Sequence, residues 1–169
     1  MLFKRLFGIS AIILALVIAS IPSSTFADGE ESEAKASYLV TGKHFNDICR
    51  NLLSDVSEKV RVVWSEEAID GTQVQESGAK TYLKLSKDGT KLYFYSDADK
   101  IYVNQDASYM FSWMKDYLDA IEFTPYLDTS KTEDMRCMFG GAFGEESTYV
   151  FYFDTSSVTD MSGMFWFND

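Results

Sequence analysis

The chain reads as α/β: a small α/β cap followed by a short solenoid whose repeat is strand, turn and short helix. Three observations lead there. Leu127–Phe139 is echoed by Phe153–Phe165 at a constant offset of 26 residues, with seven of thirteen positions identical, and a fixed period of this size is the mark of stacked supersecondary units. Each copy puts Asp-Thr-Ser ahead of Met-x-x-Met-Phe, so a turn precedes an apolar cluster. Upstream, Asp88-Gly89 lies between two alternating apolar runs, the strongest short hairpin signal.

Taken in order, residues 1–27 have the plan of a signal peptide. Lys4 and Arg5 precede an apolar run from Leu6 to Ile21, Pro22 breaks the run, and cleavage is expected between Ala27 and Asp28. The run is shorter than the ~20 residues needed to span a bilayer, so the product is expected to be secreted or extracellular, without membrane insertion after cleavage. Residues 28–36 are polar and acidic and are expected to form a flexible linker.

Residues 37–104 form the expected cap. Phe45, Ile48, Cys49 and Leu52 fall at i, i+3, i+4 and i+7, which predicts a helix with a buried stripe and Thr41 at its N-cap. Val60–Trp64 reads as a strand, and Glu66–Gly78, polar with two glycines, as a loop. Thr81–Leu85 and Lys91–Tyr95 form the hairpin, and Ile101–Val103 is a further strand.

Residues 105–169 form the expected array of two to three repeats, with Met110–Leu127 as an irregular first copy. In the last copy Tyr149–Phe153 reads as a strand. Thr159 caps a short helix on which Met161, Met164 and Phe165 share a face. The equivalent methionines, Met135 and Met138, are assigned to the core with them.

This repeat resembles that of the BspA-like leucine-rich-repeat surface proteins of bacteria, whose unit is of the type FDTS-x-VT-x-M-x-x-MF. Phe153–Phe165 matches closely. Leu127–Phe139 matches with Thr132 where Val is usual, and Lys100–Phe111 is similar to the segment that introduces the array. After Phe139 the chain departs from the pattern: Ala142, Glu145 and Thr148 stand where Cys and spaced Leu are usual. The resemblance implies a leucine-rich-repeat-like solenoid that binds host matrix proteins or other cells.

The charge balance excludes other classes. Net charge is −11, and without Lys4 and Arg5 the chain has 13 basic residues against 26 acidic. Nucleic acid and anionic lipid both call for a basic patch. No catalytic, cofactor-binding or metal site is expected. His44 is the single histidine and Cys49 and Cys137 are far apart in sequence, too few groups for a zinc site or a histidine-based nucleophile system. Acidic pairs such as Asp97/Asp99 are expected to be solvated, although a carboxylate pair is what a secreted hydrolase would use.

The expected partner surface is aromatic: Trp113, Tyr117, Tyr126, Tyr149, Tyr152, Trp166 and Phe167 are too many to bury in so short an array, and such residues favour binding hot spots. One reading is the protein partner that the resemblance implies; the other is that the array is unfinished and these side chains await a neighbour. The alternatives are a self-associating structural unit, or a truncated remnant of a longer surface protein.

Overall fold

The computed structural model describes residues 35–144 and 151–168. The signal segment, its cleavage site, Tyr149 and most of the expected linker lie outside the described residues.

Among the described residues the structure is mixed α/β, with one α-helix and two mixed sheets. The first sheet contains β1 (Ala36–Leu39), β4 (Gln75–Gly78), β7 (Lys100–Tyr102) and β9 (Leu127–Asp128), in the order β4-β1-β7-β9. β4 is antiparallel to β1, and β1, β7 and β9 run parallel. The second sheet contains β2 (Val60–Trp64), β3 (Thr72–Gln73), β5 (Thr81–Leu85), β6 (Lys91–Ser96) and β8 (Leu118–Ile121), in the order β3-β5-β6-β2-β8. A three-hydroxyl chain joins the sheets: Ser37 Oγ and Ser96 Oγ each lie 2.7 Å from the buried Thr81 Oγ1.

The hairpin forms as its sequence predicts. β5 and β6 pair antiparallel from Thr81↔Ser96 to Leu85↔Leu92, and Gly89 takes the positive φ of 70° that the tight turn requires. Hydroxyls of Ser86 and Thr90, with the Thr90 N–H, hold the Asp88 carboxyl down to about 2. The helix α1 (Gly42–Leu52) also follows its pattern. Phe45 and Cys49 are buried, Ile48 and Leu52 pack against the core, and burial pushes the Cys49 thiol up. Thr41 occupies the N-cap position but makes no side-chain capping bond.

Four expectations need correction. Glu66–Gly78 is not wholly loop, because Val74 is fully buried and seats β3 and β4 on either side of it. Lys35 and Ala36 are not linker. Lys35 bonds Asp99 through its backbone, and Ala36 pairs with Lys100. Residues 151–153 are not a strand. Fourth, Met161–Phe165 is not a helix, and the same holds for the equivalent segments upstream.

Those segments are chains of tight turns. Tyr109, Cys137 and Gly163 have φ of 62°, 50° and 63°, and Trp113, Gly141 and Phe167 have φ of 57°, 64° and 58°. The two sets correspond residue for residue at offsets of 28 and 26. A left-handed residue every fourth position stops an α-helix; it suits instead the third residue of a tight turn. Such turns close at Met110 N–H to Ala107 O, Met138 N–H to Met135 O and Met164 N–H to Met161 O.

The turns stack in parallel register. N–H groups of residues 107, 109, 111 and 113 donate to the carbonyls of 134, 136, 138 and 140, at 2.8–3.0 Å. Those of 135, 137, 139 and 141 donate to 160, 162, 164 and 166, at 2.7–3.1 Å. Parallel bridges Asp106↔Asp134↔Asp160 start the layers. In each layer the aspartate Oδ1 accepts from the backbone N–H two residues on, a local turn-forming bond. Phe111, Phe139 and Phe165 stack in line with centroids 5.4 and 5.7 Å apart and planes within 9°.

One core runs through the whole: Phe45 meets Phe111 and Phe123, Phe94 meets Phe123, and Phe111 leads into the stack. It crosses the expected boundary at residue 104, as do the pairings of β7 with β9 and β2 with β8.

Thr132 occupies the position where Val158 stands 26 residues later. It is fully buried and its hydroxyl has no hydrogen-bond partner. Removing such a group while keeping the shape relieves a desolvation cost of about 1–3 kcal/mol. Thr132→Val is therefore expected to raise the urea midpoint. An unchanged or lowered midpoint would mean that water satisfies the hydroxyl.

Candidate functional site: the open end of the turn ladder

The ladder has two different ends. At the first layer α1 lies against the backbone. Gly42 donates its N–H to Asp106 O at 2.8 Å, and a Cβ on Gly42 would sit 2.4 Å from Ser108 O, so only glycine fits this approach. Asn46 Nδ2 donates to Met110 O and Ser112 O at 3.3 and 3.0 Å. Arg50 donates to Trp113 O at 2.8 Å and to Asn46 Oδ1 at 2.9 Å. One helix face thus supplies donors to the carbonyls of Asp106, Met110, Ser112 and Trp113.

At the last layer no such cover exists among the described residues. Ala107 and Met135 are fully buried, but Met161, the next in their row, is 44% exposed. Phe111 and Phe139 are fully buried, but Phe165 is 51% exposed. The assignment of Met161 to the core is corrected accordingly. Only Met164 of the last layer reaches the interior, where Met135 and Met138 lie. Phe165 and Met161 were hidden from sequence reasoning because helical spacing assigns them to a buried face. No sequence signal sets them apart from Met135 and Phe139, whose motif they share.

Three of the seven predicted partner aromatics meet along one side of the ladder, Trp113 reaching from the first layer over Gly141 to Phe167 and Trp166 of the last. Trp166 stacks on Phe167 at 4.4 Å, and Phe167 meets Trp113 at 5.3 Å. Between them in the row stands Gly141, and a Cβ there would come within 2.8 Å of the Trp113 ring. The missing side chain is what lets the two aromatics close over it. Trp113 and Phe167 hold their exposed rings from left-handed backbone, a costly conformation for bulky residues that recurs where binding is at stake.

Tyr117, Tyr126 and Tyr152 lie elsewhere. Tyr117 is half-buried, packed on the core with the Arg50 guanidinium 5.4 Å over its ring. Tyr126 is exposed but stacks on Trp64 at 4.3 Å. With the exposed Tyr152 it lines a shallow depression beside Asp128 and Asp154. Tyr149 lies outside the described residues.

Electrostatically the end is acidic with one pinned cation. Asp160 is held below the ordinary carboxylate range by the Ser162 backbone N–H, the Ser162 hydroxyl and Arg136. Arg136 pairs with Asp134 at 2.8 Å and reaches Asp160 at 3.5 Å, clamping two layers together. Ser156 holds Asp154 below its ordinary value through its hydroxyl and N–H. Of the expected bystanders, His44 is exposed in the first turn of α1, and Cys49 and Cys137 are free thiols, the second only partly buried. Among the described residues no three His, Cys, Asp or Glu side chains gather to hold a metal ion. Nor, among them, is any helix long and apolar enough to cross a membrane.

No protein-family model, curated protein or solved structure matches the chain.

Proposed function

We propose that the chain is a short solenoid of the BspA-like leucine-rich-repeat type, exported through its signal segment at residues 1–27, and that it acts outside the bacterial cell as a non-catalytic binding module. Its partner is a protein, of a host matrix or of another cell's surface, taken up at the aromatic end. The observation that carries this reading is the exposed ring cluster of Trp113, Phe167 and Trp166, with Phe165 and Met161 also exposed in the last turn layer. Large rigid aromatics on a firm scaffold give contact area at small entropic cost and dominate interface energetics. The solenoid reading is supported by the in-register backbone bonds at offsets of 28 and 26 residues. The acidic balance fits a protein partner better than nucleic acid or anionic lipid.

The purified protein is expected to be retained on immobilised matrix proteins or on whole cells. Trp166→Ala should weaken retention roughly thirtyfold, as truncation of a hot-spot aromatic does at about 2 kcal/mol. Absence of specific retention, or retention indifferent to Trp166, would overturn the reading.

A further inference from the structure

The ladder has a polarity, and that polarity selects its partner. In the first two layers the odd-numbered residues send their N–H groups to carbonyls of the next layer, while N–H groups of even-numbered residues such as Met110 and Met138 bond within their own turns. In the last layer Met164 and Trp166 likewise bond within the turn. The N–H groups of Met161, Gly163, Phe165 and Phe167 meet no acceptor among the described residues. The open end is therefore a row of four donors at alternate residues, flanked by the half-exposed Met161 and Phe165.

A second copy of this chain does not satisfy that row. Head to tail, it would need the carbonyls of Asp106, Ser108, Met110 and Ser112, of which Gly42 and Asn46 already occupy three. Face to face, it would set donors against donors and leave buried N–H groups unpaired. An aromatic ligand without a backbone covers the rings but leaves the donors bare. What completes both is a polypeptide with carbonyls free at alternate residues and a phenylalanine in step with Phe165. The chain's own layers are built on Asp-x-x-x-Met-Phe: Asp106 to Phe111, Asp134 to Phe139, Asp160 to Phe165.

We propose that the open end accepts, in trans, a peptide segment of this same Asp-x-x-x-Met-Phe turn type. It docks in parallel register as one further layer, its alternate carbonyls accepting from Met161, Gly163, Phe165 and Phe167 and its phenylalanine stacking on Phe165. This is backbone pairing at an exposed edge, a recurring mode of peptide recognition, carried out by turns instead of extended strands. The inference rests on the open end being the binding face and states the chemistry of what binds there.

The probe is an unlabelled synthetic peptide with the sequence of residues 153–167, titrated into the purified 15N-labelled protein. Amide exchange is read residue by residue. The expected result is saturable binding with exchange slowed on the order of tenfold or more at Met161, Gly163, Phe165 and Phe167, as new hydrogen bonds require, and unchanged at Ser162, Met164 and Trp166. No binding, or protection without this alternation, overturns the proposal. So does a mass that rises with concentration in the absence of peptide while the same four amides become protected, since that makes the occupant a second copy. Peptide docking without retention on cells or matrix sinks the adhesion reading alone; retention without docking sinks this proposal alone.

Discussion

Phe139→Ala is expected to lower the unfolding free energy by about 3–5 kcal/mol, the cost of deleting a fully buried phenylalanine and leaving its cavity. Phe139 is the middle rung of the aromatic stack. Its ring lies against Phe111 and Phe165 with planes within 9°, and it also contacts Phe143, Phe151 and Phe153. It has no exposed surface. Alanine there severs the aromatic column that joins all three layers. Phe165→Ala removes the same side chain from the half-exposed end of the column, and should cost clearly less. Urea unfolding of the two variants decides the matter. Equal losses would mean that Phe165 is as enclosed as Phe139 and that the ladder does not end where it stands.

Asn46→Leu is expected to cost about 2–4 kcal/mol, from about 1–3 kcal/mol for each buried carbonyl stripped of its donor. Leucine is close in size and a better helix former than asparagine, so helix propensity pushes the other way and any loss belongs to the carbonyls. Met110 O loses its side-chain donor outright. Ser112 O keeps a weak contact with Arg50 at 3.5 Å, and Arg50 itself loses the Asn46 Oδ1 that steers it. An unfolding free energy within a few tenths of the parent would mean that water reaches these carbonyls and that α1 does not close the ladder.

What the sequence showed and what it hid divide along physical lines. Elements set by local chemistry were legible. Asp88-Gly89 needs its positive φ whatever surrounds it, and the stripe of Phe45 and Cys49 makes one helix face apolar. Repetition was legible too, because Asp134 and Asp160 share their positions in two copies. The conformation of the repeat was not. Met161-x-x-Met164-Phe165 fits a helical face and a chain of turns equally well. What decides between them is left-handed backbone at Gly163 and Phe167, and of these two only glycine advertises it. Tyr109, Trp113, Cys137 and Phe167 adopt positive φ without any such signal, the first three held there by bonds from layer to layer.

The candidate site was half legible for a related reason. Counting aromatics was enough to place Trp113, Trp166 and Phe167 on the surface. Only the structure shows that Phe167 closes on Trp113 over Gly141 and that two of the three share the last layer with a bare donor row. Tyr117 and Tyr126 find neighbours in Arg50 and Trp64, which lie far from them in sequence. Asn46 gave no signal as a functional residue, being one polar position beside an apolar stripe. Its role exists only because Met110 and Ser112 return to meet it.

The central claim is that three turn layers pair in parallel register, closed by α1 at one end and open at the other. Amide exchange of the free protein tests it most directly. The account predicts slow exchange at residues 107, 109, 111, 113, 135, 137, 139 and 141, and fast exchange at Met161, Gly163, Phe165 and Phe167. Uniformly fast exchange across all three segments would contradict the ladder. Slow exchange at the last four, in a dilute monomer, would contradict its open end.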